Sequence, residues 1–186
     1  MFTDSMVSLS KTKFRKLCVV GLGYVGLPTA AVFANRGVDV IGFDTKAETV
    51  ELINNGQIHI VEPDLDILVN AAVARGKLRA STKAEAADVF ILAVPTPFSD
   101  AHKPDLSYLE TATSAIAPVL EQGNLIILES TSPVGTTEKI SKWLSTHRQD
   151  LKFPPEPSKS RKSRQKCQKS SEHIQKKSLK ISTIFP

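Results

Sequence analysis

Cysteine is scarce in this chain. Two residues, Cys18 and Cys167, occur in 186, too few for a disulfide framework. Long apolar runs are also missing. The longest clean one is Val89–Val94, against the ~20 residues of a membrane helix, so no membrane span is expected. The opening "MFTDSMVSLSKTKFRK" has no apolar centre for a secretory signal and carries an early acid. His59, His102, His147 and His173 share no ligand spacing, so no metal site is expected. These absences leave a cytoplasmic protein as the expectation.

Excess positive charge is absent from the body of the chain. The net charge is +5, yet residues 154–186 alone hold nine Lys/Arg and two Glu. The remainder is therefore slightly acidic. A basic pI of this origin is not a nucleic-acid footprint for a folded domain, and nucleic acid is not the expected partner.

What is present is alternation. Leu17–Val20, Val38–Asp44, Lys77–Ala80, Asp88–Val94 and Asn124–Glu129 read as short buried strands. Between them lie helical stretches. One follows the glycines and ends near Gly37. The next is capped by Thr45 with Glu48 three residues on, a capping box, and stops at Asn55-Gly56. A third opens at Glu62-Pro63-Asp64 and runs to about Ala74. A fourth starts at Asp105, with a stripe through Leu109, Ala112 and Ile116, and must bend or restart at Pro118. The last spans Thr136 to His147. Strands apolar on both faces, alternating with helices, predict a doubly wound α/β domain over residues 14–153. The handedness rule and the first turn predict strand order 3-2-1-4-5. Residues 1–13 are expected to be a flexible N-terminus.

The first strand leads into Gly21, Gly23 and Gly26, in "GLGYVG". The first glycine allows a tight turn, the second a close approach to a pyrophosphate, the third close helix–strand packing. Phosphates would rest on the amides of Leu22, Gly23, Tyr24 and Val25 at a helix N-terminus. Asp44, 18 residues beyond Gly26, sits where an acid grips the adenosine ribose, and it disfavours a 2′-phosphate. NAD is therefore the expected cofactor. The alternative is a plain strand-to-helix turn beside a surface acid. "VPTPF" and "ESTSPVGTTE" follow the fourth and fifth strands, so Thr96 and Thr131 should line the same edge as the glycines. Thr96 offers a hydroxyl, and Thr131 can bond a water or a substrate hydroxyl.

"GLGYVGLP", "IHIVEPDL", "LRAST", "AVPTPF", "PDLSYLE" and "ILESTSPVGTTEK" occur in that order. Together they resemble the UDP-glucose/GDP-mannose dehydrogenase family, in particular its branch acting on UDP-N-acetyl-D-mannosamine. The resemblance covers about Arg15 to Phe153. It implies a Rossmann-like NAD-binding domain of an oxidoreductase that oxidises the C6 alcohol of a UDP-sugar to a carboxylate for surface-polysaccharide synthesis. It carries cofactor roles to Gly21, Gly23, Gly26, Asp44, Thr96 and Glu129, and water positioning to Thr131. The family's nucleophilic cysteine, lysine and asparagine, its substrate domain and its dimer-forming helix have no counterpart here. The family's homodimer is therefore not expected. Cofactor binding without turnover is expected; a non-catalytic nucleotide-binding module is the alternative. Cys167 lies among Gln and Lys with no base held near it, and is not a nucleophile.

From Pro154 the chain turns rich in Ser, Pro, Lys and Arg with little apolar periodicity. The expectation is a disordered basic tail over residues 154–186, arising from a lost reading frame, with a linker to a partner chain or a nucleic-acid or localisation patch as the alternatives. The strand Asn124–Glu129 would then be an unpaired sheet edge, prone to aggregation.

Overall fold

A computed structural model describes residues 14–97, 104–153 and 180–183. The elements are β1 (Lys16–Val20), α1 (Gly26–Asn35), β2 (Asp39–Phe43), α2 (Ala47–Asn54), α3 (Leu65–Ala74), β3 (Leu78–Ser81), β4 (Val89–Leu92), α4 (Ser107–Ile116), β5 (Leu125–Leu128), α5 (Thr136–His147) and β6 (Lys180–Thr183). All strands pair in parallel, in the order β3-β2-β1-β4-β5-β6. The 3-2-1-4-5 order anticipated from sequence is present. The order reverses direction between β1 and β4, which opens a crevice at the carboxyl ends of those strands.

Side chains of successive strand residues enter opposite layers. Leu17, Val19, Val89 and Ile91 join one buried cluster with α1, Ile53 of α2 and Val69 of α3. Cys18, Val20, Phe90, Leu92, Ile126 and Leu128 join a second with Leu109 and Ile116 of α4 and Ile140 and Leu144 of α5. Both faces of the sheet are thus covered, which is why its inner strands β1, β4 and β5 are rich in apolar residues. Asp88 pins the start of β1 by accepting the N–H groups of Arg15 and Lys16 at 2.7 and 2.9 Å.

Three local expectations change. The capping box over Thr45–Glu48 does not form: α2 begins at Ala47, with no side-chain cap. Asp44 Oδ1 accepts the Lys46 N–H at 3.0 Å instead, so the turn is closed one residue earlier. At Pro118 the expected bend or restart narrows to a restart. The helix ends at Ile116 and a 3-10 turn, Ala117–Val119, follows. Arg148 Nη1 donates to the freed carbonyls of Ala117 and Leu120 at 2.8 and 2.7 Å. Finally, β5 is not the sheet edge. Residues 180–183 of the basic tail pair with it in parallel, Leu125 opposite Lys180 and Leu128 opposite Thr183. The backbone bonds of β5 are satisfied on that side, so the unpaired-edge expectation fails. The remaining tail and N-terminal expectations, with Cys167, lie outside the described residues.

Candidate nucleotide-binding cleft

The turn after β1 is fixed by what its glycines exclude. Gly21 has φ +91°, and an added Cβ would lie 2.8 Å from the Ala93 carbonyl oxygen. At Gly26 an added Cβ would lie 1.8 Å from the Gly21 carbonyl oxygen and 3.2 Å from the Ala93 Cβ. These two glycines therefore serve backbone packing. Gly23 differs: nothing lies within 4 Å of its added Cβ. The fold does not need glycine there, so the bare backbone faces free space.

That space is a cleft of about 1050 Å³ at the carboxyl edge of the sheet. Gly21, Gly23, Tyr24 and Val25 form its floor, with Asp44 and Lys46 after β2 at one end. Thr96 and Pro97 after β4 and Ser130 and Thr131 after β5 border it at the other. The loops after β4 and β5 are stitched together: Thr96 Oγ1 donates to the Thr131 carbonyl, and Ser130 Oγ donates to the Val94 carbonyl at 2.6 Å. The Thr131 hydroxyl has no partner among the described residues.

The amides of Gly23, Tyr24, Val25 and Gly26 likewise have no acceptor among the described residues. They are the orphan donors at the start of a ten-residue helix, whose N-cap residue, Val25, offers no side-chain acceptor. Oriented donors with a helix dipole behind them suit an anion. An uncrowded backbone at Gly23 suits a diphosphate resting directly on it. The cleft thus fits a dinucleotide on the chain's own geometry.

The structure redistributes the roles anticipated at this edge. The Leu22 amide is occupied, donating to Asp44 Oδ2 at 2.9 Å. Its side chain is fully buried. Glu129 does not line the cleft. Its Oε1 accepts the Thr29 hydroxyl of α1 at 3.0 Å, and its Oε2 is buried without a partner among the described residues. Residues passed over in the sequence complete the opposite wall: Tyr108, Thr111 and Ala112 of α4, with His59 on the way to α3. Tyr108 stands off the buried stripe of its helix and is 53% exposed. An aromatic on a helix's polar face was the available signal.

Among the described residues no cysteine thiol lines the cleft. Among the described residues no three His, Cys, Asp or Glu side chains gather for a metal. Cys18 is fully buried in β1, and burial pushes its thiol up to about 12, far from the thiolate that attack requires. No helix among the described residues is long and apolar enough to cross a membrane.

Comparison with known proteins agrees with this geometry. Residues 15–163 match the family model for the NAD binding domain of the UDP-glucose/GDP-mannose dehydrogenase family. The match runs ten residues beyond Phe153, where the resemblance was expected to stop. The chain is 62% identical over 141 residues to an NDP-N-acetyl-D-galactosaminuronic acid dehydrogenase of Ralstonia nicotianae. It is 61% identical over 143 residues to a UDP-N-acetyl-D-mannosamine dehydrogenase of Campylobacter jejuni. Each alignment takes 76% of this chain, but only 33% and 35% of the respective relative. The chain thus spans about a third of the length of the curated relatives it matches. Among solved structures, the UDP-N-acetyl-mannosamine dehydrogenase of Staphylococcus aureus superposes with a TM-score of 0.66 at 47% identity, over 68% of this chain and 31% of that one.

Proposed function

Because the chain belongs to the UDP-glucose/GDP-mannose dehydrogenase family and matches its NAD-binding domain, we propose that the cleft holds NAD with its diphosphate on the amides of Gly23, Tyr24, Val25 and Gly26. Asp44 then accepts the adenosine ribose hydroxyls, and its charge repels a 2′-phosphate. Thr96 and Thr131 lie toward the reacting end, where the Thr131 hydroxyl is available to a water or to a substrate hydroxyl. Bound NAD supplies the hydride acceptor; the chain's own residues bind and orient it. Glu129 supports the site from behind, through Thr29, rather than by touching the cofactor.

The reaction proposed for the whole protein is oxidation of the C6 alcohol of a UDP-sugar, of the UDP-N-acetylmannosamine class, to a carboxylate for surface-polysaccharide synthesis in the cytoplasm. The names and the sequence identity of the two relatives support that class. Turnover needs a nucleophile, and the one cysteine among the described residues, Cys18 of β1, is buried with its thiol raised by that burial. The observation that carries the reading is the open backbone at Gly23 in a loop whose other glycines are locked by packing. The experiment is a titration of the purified chain with NAD, followed by an assay for NADH formation with UDP-N-acetylmannosamine. Saturable binding without NADH is expected. NADH formation would show that the chain carries its own nucleophile, and absence of binding by folded protein would remove the cofactor assignment.

A further inference from the structure

Leu22 stands just before α1, so its N–H has no helical carbonyl to reach. It donates instead to Asp44 Oδ2 at 2.9 Å. The other carboxylate oxygen, Oδ1, accepts the Lys46 N–H at 3.0 Å. Both oxygens are thus tied to backbone, one on the glycine loop and one on Asp44's own turn. Two further ties join the same pair of segments. The Gly21 N–H donates to the Phe43 carbonyl at 2.8 Å. The Leu22 side chain lies over Gly42, where an added Cβ would fall 2.6 and 2.7 Å from its δ carbons. The first of these is main chain and the second is apolar and buried. The Asp44 tie alone is made by a side chain that also lines the cleft.

We infer that Asp44 is a positioning residue for the diphosphate loop as well as a ribose ligand. By accepting the Leu22 amide it fixes the loop's direction before any ligand arrives, so that the next four amides point together into the cleft. A carboxylate brought near a diphosphate site should oppose an anion by charge. Here it favours one through the backbone it holds. The ribose and diphosphate ends of the cleft are therefore coupled through one side chain. The ligand arm of this inference rests on the NAD reading; the loop arm does not.

The loop arm is read by hydrogen exchange on the full, ligand-free chain. In Asp44→Ala the Leu22 amide should exchange at least tenfold faster, with the amides of β1 and β4 unchanged. Unchanged exchange at Leu22 would overturn the inference. Should that variant fail to fold, Asp44→Asn, which keeps a neutral acceptor, should still speed Leu22 exchange several-fold, and no change there overturns it equally. The ligand arm uses inorganic pyrophosphate, which has no ribose. Loss of a negative charge alone should tighten its binding, whereas loss of the brace should weaken it. At least threefold weaker binding by Asp44→Ala is expected, and equal or tighter binding contradicts the inference. If the wild-type chain itself shows no affinity for pyrophosphate, the diphosphate reading of the cleft has failed, and the exchange data alone decide the role of Asp44.

Discussion

At the scale of single residues, three glycines that look alike in sequence have different duties. An added methyl at Gly26 meets the Gly21 carbonyl oxygen at 1.8 Å, so Gly26→Ala should destabilise by about 3 kcal/mol or more, at the upper end of overpacking costs. The same change at Gly23 meets nothing within 4 Å. Gly23→Ala should melt within a degree or two of wild type, yet bind NAD at least tenfold more weakly, about 1.4 kcal/mol. Calorimetric melts paired with NAD titrations separate the two; equal affinity in Gly23→Ala would mean that no phosphate rests there. Asp64 is the one non-glycine residue among those described with positive φ, at 60°. Asp64→Gly should raise stability by about 0.5–1 kcal/mol by relieving left-handed strain, read from denaturant midpoints at constant slope. The packing duties of Gly21 and Gly26 were legible from motif spacing alone. The engagement of the Leu22 amide was not, because it depends on where an aspartate from another strand ends in space.

Secondary-structure elements were legible where the physics is local. The run from Thr136 to His147 became α5 with those bounds, because its buried positions, Ile140 and Leu144, recur at helical spacing. The central strand β4 was readable because both its faces are buried, which demands unbroken apolar residues. The start of α2 was misread because Asp44 takes the Lys46 amide before Thr45 can cap. The pairing of residues 180–183 with β5 could not be read at all. Its bonds are backbone bonds, and about thirty residues with no apolar periodicity separate it from α5. This strand carries its own prediction. A chain ending at Phe153 loses β6, and β5 then presents free amides and carbonyls beside a very apolar segment. It should form larger species in size-exclusion chromatography at concentrations where the full chain does not. Identical elution of the two would argue that β6 does not cover that edge.

For the whole molecule, acid stability follows from carboxylates held below their ordinary range. Arg79 donates to both oxygens of Glu85 at 2.6 and 2.5 Å, and those hydrogen bonds depress the Glu85 carboxyl. The Ser107 backbone N–H does the same for Asp105, and Arg148 for Asp150. Each depressed group contributes stability that is complete above its unfolded value and lost as pH falls through its folded one. Unfolding free energy should therefore decline on acidification through and below the ordinary carboxylate range. Glu85→Gln should make that decline shallower, removing about 0.5–1 kcal/mol at neutral pH for a pair that is partly solvent-exposed; an unchanged pH profile would deny the pair any role. At this scale the chain is a five-strand nucleotide-binding core with a sixth strand drawn from its tail, and among the described residues no cysteine lines the cleft. That description stands or falls on cofactor affinity. Isothermal titration of the full, folded chain with NAD should give saturable one-site binding, with NADP at least tenfold weaker because a carboxylate lining the cleft repels a 2′-phosphate; no heat of binding from protein whose sheet amides remain protected from exchange would refute it.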